Sequence, residues 1–141
     1  MFSQTVEYAL RAIVHLAQHP SSPQKTSEIA EKTKVPVAYL AKVLQGLHHT
    51  GILRTQRGVG GGVGLAIPSD ELTVLQVVNA VEPFQRIKSC PLELKSHGKR
   101  LCSLHRKLDE SLRSTEEALG STTVADLLND PNPSRALCDG V

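Results

Sequence analysis

Aromatic residues are scarce in this chain of 141 residues, which has two phenylalanines, two tyrosines and no tryptophan. Leu, Val, Ile and Ala must therefore fill any core, a composition that favours packed helices. No apolar run approaches the roughly 20 residues that a bilayer-spanning helix requires. The opening stretch MFSQTVEYALRAIVHLA carries a carboxylate at Glu7 and no cleavage signature. These absences predict a soluble, unexported protein with no membrane partner. Cysteine is also sparse, with three residues in all. An odd number this small does not suit the disulfide framework of a secreted domain, so reduced thiols or ligands in a cytoplasmic setting are expected. The length excludes two large domains.

Negative charge is missing from one region in particular. Lys32 to Ser69 contains Lys32, Lys34, Lys42, Arg54 and Arg57 and not one Asp or Glu, whereas the whole chain has a net charge of only +2. A cationic segment on a near-neutral chain can attract a polyanion, and it can equally be a solvated face.

Apolar residues fall at helical spacing in Val6, Ala9, Leu10, Ile13, Val14 and Ala17, with Ser3 available as a cap. The spacing predicts a first helix over 3–18, stopped by the Pro20 to Pro23 stretch. A short second helix, capped by Thr26 or Ser27 and with Glu28 and Glu31 in its early turns, is predicted to end near Thr33. Pro36 suits the first turn of a third helix over 36–49, whose stripe is Leu40, Val43, Leu44 and Leu47 and whose end is Gly51. Two helices a few residues apart, leading into a short strand, suit a helix-turn-helix. Ile52 to Thr55 reads as a strand and Leu65 to Ile67 as its return. Between them five glycines occupy the seven positions 58–64, a hairpin tip or wing. No Gly-Lys-Ser/Thr follows these glycines, they keep no G-x-G-x-x-G register, and no helix starts at their end, which excludes a nucleotide-phosphate loop.

A fourth helix is predicted over 72–82, capped by Thr73 and closed before Pro83. An irregular basic stretch follows over 84–100, and then a long amphipathic fifth helix carries Leu101, Leu104, Leu108, Leu112 and Leu119. So narrow a leucine stripe on a projecting helix is expected to be the seam of a symmetric dimer. A short helix over 122–128 and a flexible tail over 131–141 complete the chain. The expected fold is mainly α with a small β-hairpin wing: a winged helix-turn-helix plus a long dimerisation helix. Its expected divisions are a DNA-binding domain over 1–82, a cysteine-containing sensor loop over 83–100, and the dimerisation and C-terminal helices over 101–130.

In a winged helix-turn-helix the third helix lies in the major groove and its outer face reaches base edges. Here that face offers Val37, Ala38, Tyr39, Lys42 and Gln45. Arg57 at the wing root can enter the minor groove or grip a phosphate, and Gly58, Gly60 and Gly61 let backbone amides approach closely. The opposing reading leaves Lys42 and Arg57 as solvated charges and the glycines as a turn without contacts. The thiols provide a second motif. Cys90-x11-Cys102-x2-His105 has a spacing usable by zinc or an iron-sulfur cluster, because Cys102 and His105, three apart at a helix start, face the same way. The bland alternative is a pair of ordinary reduced thiols and an exposed histidine.

The segments EYALRAIVHLA, VPVAYLAKVLQGLHHTGIL, RGVGGGVGLA and LTVLQVVNAVE resemble, in this order, the Rrf-type winged-helix transcription regulators, a likeness that covers residues 2–130. The arginine-glycine wing followed by Leu-Ala is its most specific part. The resemblance implies a dimeric transcription factor whose fifth helix crosses its partner; a repressor is expected, and because a two-fold axis sets two wings on two half-sites, so is a pseudo-palindromic duplex. It implies DNA contacts at Ala38, Tyr39, Lys42 and Arg57. Ala41 stands where the cluster-binding regulators have a glutamate that helps select the site, so their operator does not carry over. Sensing members have three loop cysteines; Cys90 and Cys102 match the outer two, and Ser96 stands in the middle place. The resemblance further implies a two-iron two-sulfur cluster held by Cys90, Cys102, His105 and Glu7, the last reaching across the dimer. A cluster-free thiol switch on Cys90 and Cys102 is the near alternative. A zinc hydrolase using Cys90, His97, Cys102 and His105 is disfavoured because four protein ligands close the zinc shell. No catalytic role is expected, and Cys138 is expected to be a bystander.

Overall fold

The computed structural model describes residues 2–97 and 100–131; Cys138 and the expected tail from 132 onward lie outside the described residues. The elements in chain order are α1 (Gln4–Ala17), α2 (Thr26–Thr33), α3 (Val37–His49), β1 (Leu53–Gln56), β2 (Gly62–Leu65), α4 (Val74–Val81), a 3-10 turn (Lys95–His97), α5 (Ser103–Gly120) and α6 (Val124–Leu128). Among the described residues no helix is long and apolar enough to cross a membrane.

Helix α1 is the axis of the molecule. The Ser3 hydroxyl accepts the Val6 N–H at 3.3 Å, which satisfies one of the helix's orphan donors. Ala9, Ala12, Ile13 and Leu16 then turn inward at helical spacing and are completely or almost completely buried. Against this face pack α2, α3, α4, α6 and the second strand. Ile29, Leu40, Leu47, Leu72, Val77 and Val124 close the same core. Each such side chain contributes about 1.5–3 kcal/mol through removal of its surface from water.

Helix α2 starts one residue earlier than a Thr26 cap would allow and two earlier than a Ser27 cap, with Lys25 in the cap position. The Glu28 carboxylate supplies the missing acceptor, taking the Lys25 N–H at 3.1 Å. Lys34, at φ 56°, makes the tight left-handed turn into α3. Pro36 lies just outside α3, as its cap, because its ψ of 134° is extended. The apolar stripe of α3 seats it on α1.

The wing differs most from the sequence reading. Its return strand is Gly62–Leu65, three residues earlier than expected, pairing antiparallel so that Arg54 faces Gly64 and Thr55 faces Val63. Glycine is a poor strand former, but a third segment supports this one. The Gln24 N–H donates to the Val63 carbonyl at 2.9 Å and the Val63 N–H to the Gln24 carbonyl at 2.7 Å. The loop after α1 thus adds a one-residue strand to the hairpin.

Thr73 and Gln76 cap α4 reciprocally, the Thr73 hydroxyl accepting from the Gln76 N–H at 3.1 Å and the Gln76 amide oxygen from the Thr73 N–H at 2.8 Å. Helix α5 begins after Cys102, so Leu101 precedes it, and α5 packs against α4. None of its side chains is buried within the single chain.

Candidate nucleic-acid interface and thiol loop

Helix α3 presents two faces of opposite character. Leu40, Val43, Leu44 and Leu47 are buried, and Val37, Ala38, Tyr39, Ala41, Lys42 and Gln45 are exposed. Tyr39 is 60% exposed although its ring lies 6.3 Å from that of Tyr8 on α1. Arg11 also stands over the Tyr8 ring, 5.5 Å from its centroid, and its guanidinium donates to the last-turn carbonyl of Thr33 at 3.3 Å. Helix α1 therefore holds both helices of the helix-turn-helix by named contacts. The sequence reading found the exposed face and missed Tyr8 and Arg11, whose spacing marks only the border of the apolar stripe.

Arg57 follows β1 directly and is exposed. Gly58 to Gly61 form a closed turn in which the Gly61 N–H donates to the Gly58 carbonyl at 3.0 Å. Gly60 sits at φ 77°, the conformation that the third residue of a type II turn requires. Gly61 is needed for space, since a Cβ there would stand 2.2 Å from the Gln56 carbonyl oxygen. Beneath the wing, His15 is buried and its Nε2 lies 3.2 Å from the Gln24 side-chain oxygen. Burial holds the His15 imidazole below the usual histidine range, with the neighbouring His19 and Lys32 acting in the same direction.

The loop after α4 carries the thiols in two separate pairs. Cys90 Sγ lies 3.5 Å from Nδ1 of His97, and Cys102 Sγ lies 3.2 Å from Nδ1 of His105. The second pair follows the spacing reading. The first joins Cys90 to a histidine that the cluster quartet did not include. Cys90 is 8% exposed, and the Leu94 backbone N–H and the His97 ring hold its thiol below the ordinary range. Glu7, in the first turn of α1, pairs instead with Arg11 at 3.1 Å. Among the described residues no three Cys, His, Asp or Glu side chains come together as a metal site, so one chain alone does not gather the quartet. As donors, two thiols and two imidazoles suit iron or zinc.

A polar contact unforeseen in the sequence ties this loop to α5. The Arg86 guanidinium donates twice to Asp109, at 2.7 Å on each oxygen, and reaches Glu116 at 3.5 Å. Asp109 also accepts the Ile87 N–H at 3.0 Å. Asp109 and Glu116 are seven apart on one helix, so they share a face, and that was the available signal.

A helix-turn-helix whose recognition helix and glycine wing lie in one basic stretch without Asp or Glu, set on a helical core, defines a winged-helix, DNA-binding transcription regulator, and not an enzyme. Residues 2–130 match the Rrf2 family of iron-dependent transcriptional regulators, and the chain belongs to that family. A chain of Aquifex aeolicus (strain VF5) that bears the name HTH-type transcriptional regulator is 30% identical over 132 residues, 92% of either chain. IscR of T. potens superposes with a TM-score of 0.76 at 26% identity, covering 99% of this chain and 93% of its own. The global cysteine regulator CymR of B. subtilis gives the same TM-score, 0.76, at 22% identity over 90% of this chain and 95% of its own, a likeness of fold.

Proposed function

We propose that the protein is a homodimeric repressor that binds a pseudo-palindromic operator and loosens its grip when the loop over 83–100 changes state. The observation that carries the DNA-binding half is the exposed α3 face, together with an exposed Arg57 at the root of the wing. On this reading Ala38, Tyr39 and Lys42 meet base edges, and Arg57, Gly58, Gly60 and Gly61 meet the backbone. The dimer is supported by α5, where Leu104 and Leu108 are 61% and 47% exposed and no side chain is buried. A second copy placing the same stripe against this one removes both from water, as a two-fold interface does.

The loop and the start of α5 together are the sensor, because Cys90 and Cys102 are each paired with an imidazole. Cys90, Cys102 and His105, with Glu7 of the partner subunit, are the residues that would hold a two-iron two-sulfur cluster; bound there, it would supply a charge that changes with redox state. Ser96 in the middle cysteine position makes such a site mixed in thiolate and non-thiolate donors, and imidazole ligation raises the potential of a cluster. Glu7 pairs one carboxylate oxygen, Oε1, with Arg11. A second reading, favoured by the lowered pKa of Cys90, is a thiol switch in which reversible oxidation of Cys90 and Cys102 changes DNA affinity without iron.

The absorbance of anaerobically purified protein separates the readings: an iron-sulfur centre is brown, whereas thiols and zinc are colourless. Cys90→Ser, Cys102→Ser, His105→Ala and Glu7→Ala are then compared for colour and operator affinity. Loss of colour together with altered affinity supports the cluster. Colourless protein whose affinity responds to oxidant only while both cysteines are present supports the switch. If both cysteine variants match wild type in every measurement, the loop is not a sensor.

A further inference from the structure

The tip of the wing carries one side chain. Of residues 58–62 only Val59 has a Cβ, and it is the most exposed large apolar residue described, at 109% of its reference area. Arg57 stands two residues before it. The wing's shape is defined: Gly58 and Gly61 close the turn by a 3.0 Å hydrogen bond, and the Gln24 bridge to Val63 braces the return strand. A blade of bare backbone ending in one isopropyl group, with no carboxylate between Lys32 and Ser69 to repel phosphates, matches the minor groove, which is only about 6 Å wide.

We infer that Val59 is an apolar probe of the minor-groove floor that makes the protein prefer A·T over G·C pairs beneath the wing. This rests on the reading of the wing as a DNA contact and adds a source of specificity to it. The chemistry is that of a single amino group. In the minor groove A·T and T·A pairs present only acceptors, whereas G·C adds the guanine N2 amine. An isopropyl group pressed onto that amine removes water from a donor and offers no acceptor in return, an unfavourable exchange. Over an A·T pair the methyl groups pack into a narrower groove with no amine beneath. Apolar side chains do enter minor grooves in other DNA-binding proteins.

The test begins with selection of bound duplexes from a random pool and hydroxyl-radical footprinting of the selected site, which marks the minor-groove positions under each wing. At those positions each A·T pair is replaced by G·C and by inosine·cytosine, which lacks the 2-amino group, and affinity is measured for wild type, Val59→Ser and Val59→Ala. Wild type is expected to lose about tenfold on G·C and little on inosine·cytosine. Val59→Ser should lose most of that discrimination at an unchanged salt slope. Because Val59 is fully exposed, these substitutions leave the core intact, which circular dichroism and thermal melting verify. Equal discrimination by wild type and Val59→Ser, a G·C penalty that inosine·cytosine shares, or the absence of minor-groove protection at the site would overturn the inference. If no duplex is selected at all, it is the DNA-binding reading that fails.

Discussion

Arg86 and Asp109, 23 positions apart, meet through two parallel hydrogen bonds of 2.7 Å that clamp the start of the thiol loop onto α5. This fork geometry suits arginine and not lysine. Asp109 adds the Ile87 N–H, so one carboxylate holds both the side chain and the backbone of the loop's start. Arg86→Gln and Asp109→Asn should each make the loop over 83–100 more sensitive to limited proteolysis while the helical signal in circular dichroism persists. The Arg86 guanidinium holds the Asp109 carboxyl below the usual carboxylate range. A depressed folded pKa contributes stability that is present above the ordinary value of about 3.9 and lost as pH falls through the folded one. Protease protection of the loop in wild type should therefore decline as pH drops below about 4, and Asp109→Asn should show no such step. A loop as well protected in Asp109→Asn as in wild type would show that the clamp does not hold it.

Arg57 predicts a salt effect. Each neutralised phosphate adds about −0.9 to the slope of log K against log salt. Arg57→Ala should weaken operator binding and flatten that slope by about one per subunit. Fluorescence anisotropy across a salt series checks both, and a variant with unchanged slope removes Arg57 from the backbone contacts.

Leu108 is half exposed on a helix that has no buried residue of its own. If a second copy covers it, Leu108→Glu places an unpaired charge in the seam at a cost of several kcal/mol. Sedimentation should then report a monomer with unchanged secondary structure and weakened operator binding. A stable dimer would move the seam away from Leu108.

His15 predicts a pH dependence of stability. Burial depresses its folded pKa below the unfolded value of about 6.5, so below that pH the unfolded chain binds a proton that the folded one refuses. Stability is fully present above about pH 6.5 and declines as pH falls from there toward the folded value. His15→Gln should flatten the melting temperature between pH 7 and pH 5, measured by calorimetry. If the variant and wild type lose stability in parallel over that range, another group is titrating.

Most of the helical architecture was legible because its signals are local. The Ser3 and Thr73 caps, the 3.6-residue apolar stripes and the glycine after α3 each act within a few residues of where they stand, so periodicity found α1, α3 and α4 to within about two residues at each end. The glycine cluster likewise marked the wing. Its strand register was hidden, because pairing of Gly62 to Leu65 depends on Gln24, which arrives from another part of the chain.

The chain by itself determined that this is a helical, winged DNA-binding protein of one family, since amphipathic spacing, turn residues and an acid-free basic segment survive in any ordering of distant contacts. Tertiary structure alone decided that Cys90 pairs with His97, that Arg86 clamps Asp109, and that Tyr39 leans on Tyr8 while its outer surface stays free. Those partners are 7, 23 and 31 residues apart in sequence. The two distant pairs meet because α1 packs on α3 and α4 on α5, and the Cys90 pair meets because the 3-10 turn at Lys95–His97 folds the loop back on itself; burial of the apolar faces fixes the distances between the backbones that carry the helical contacts.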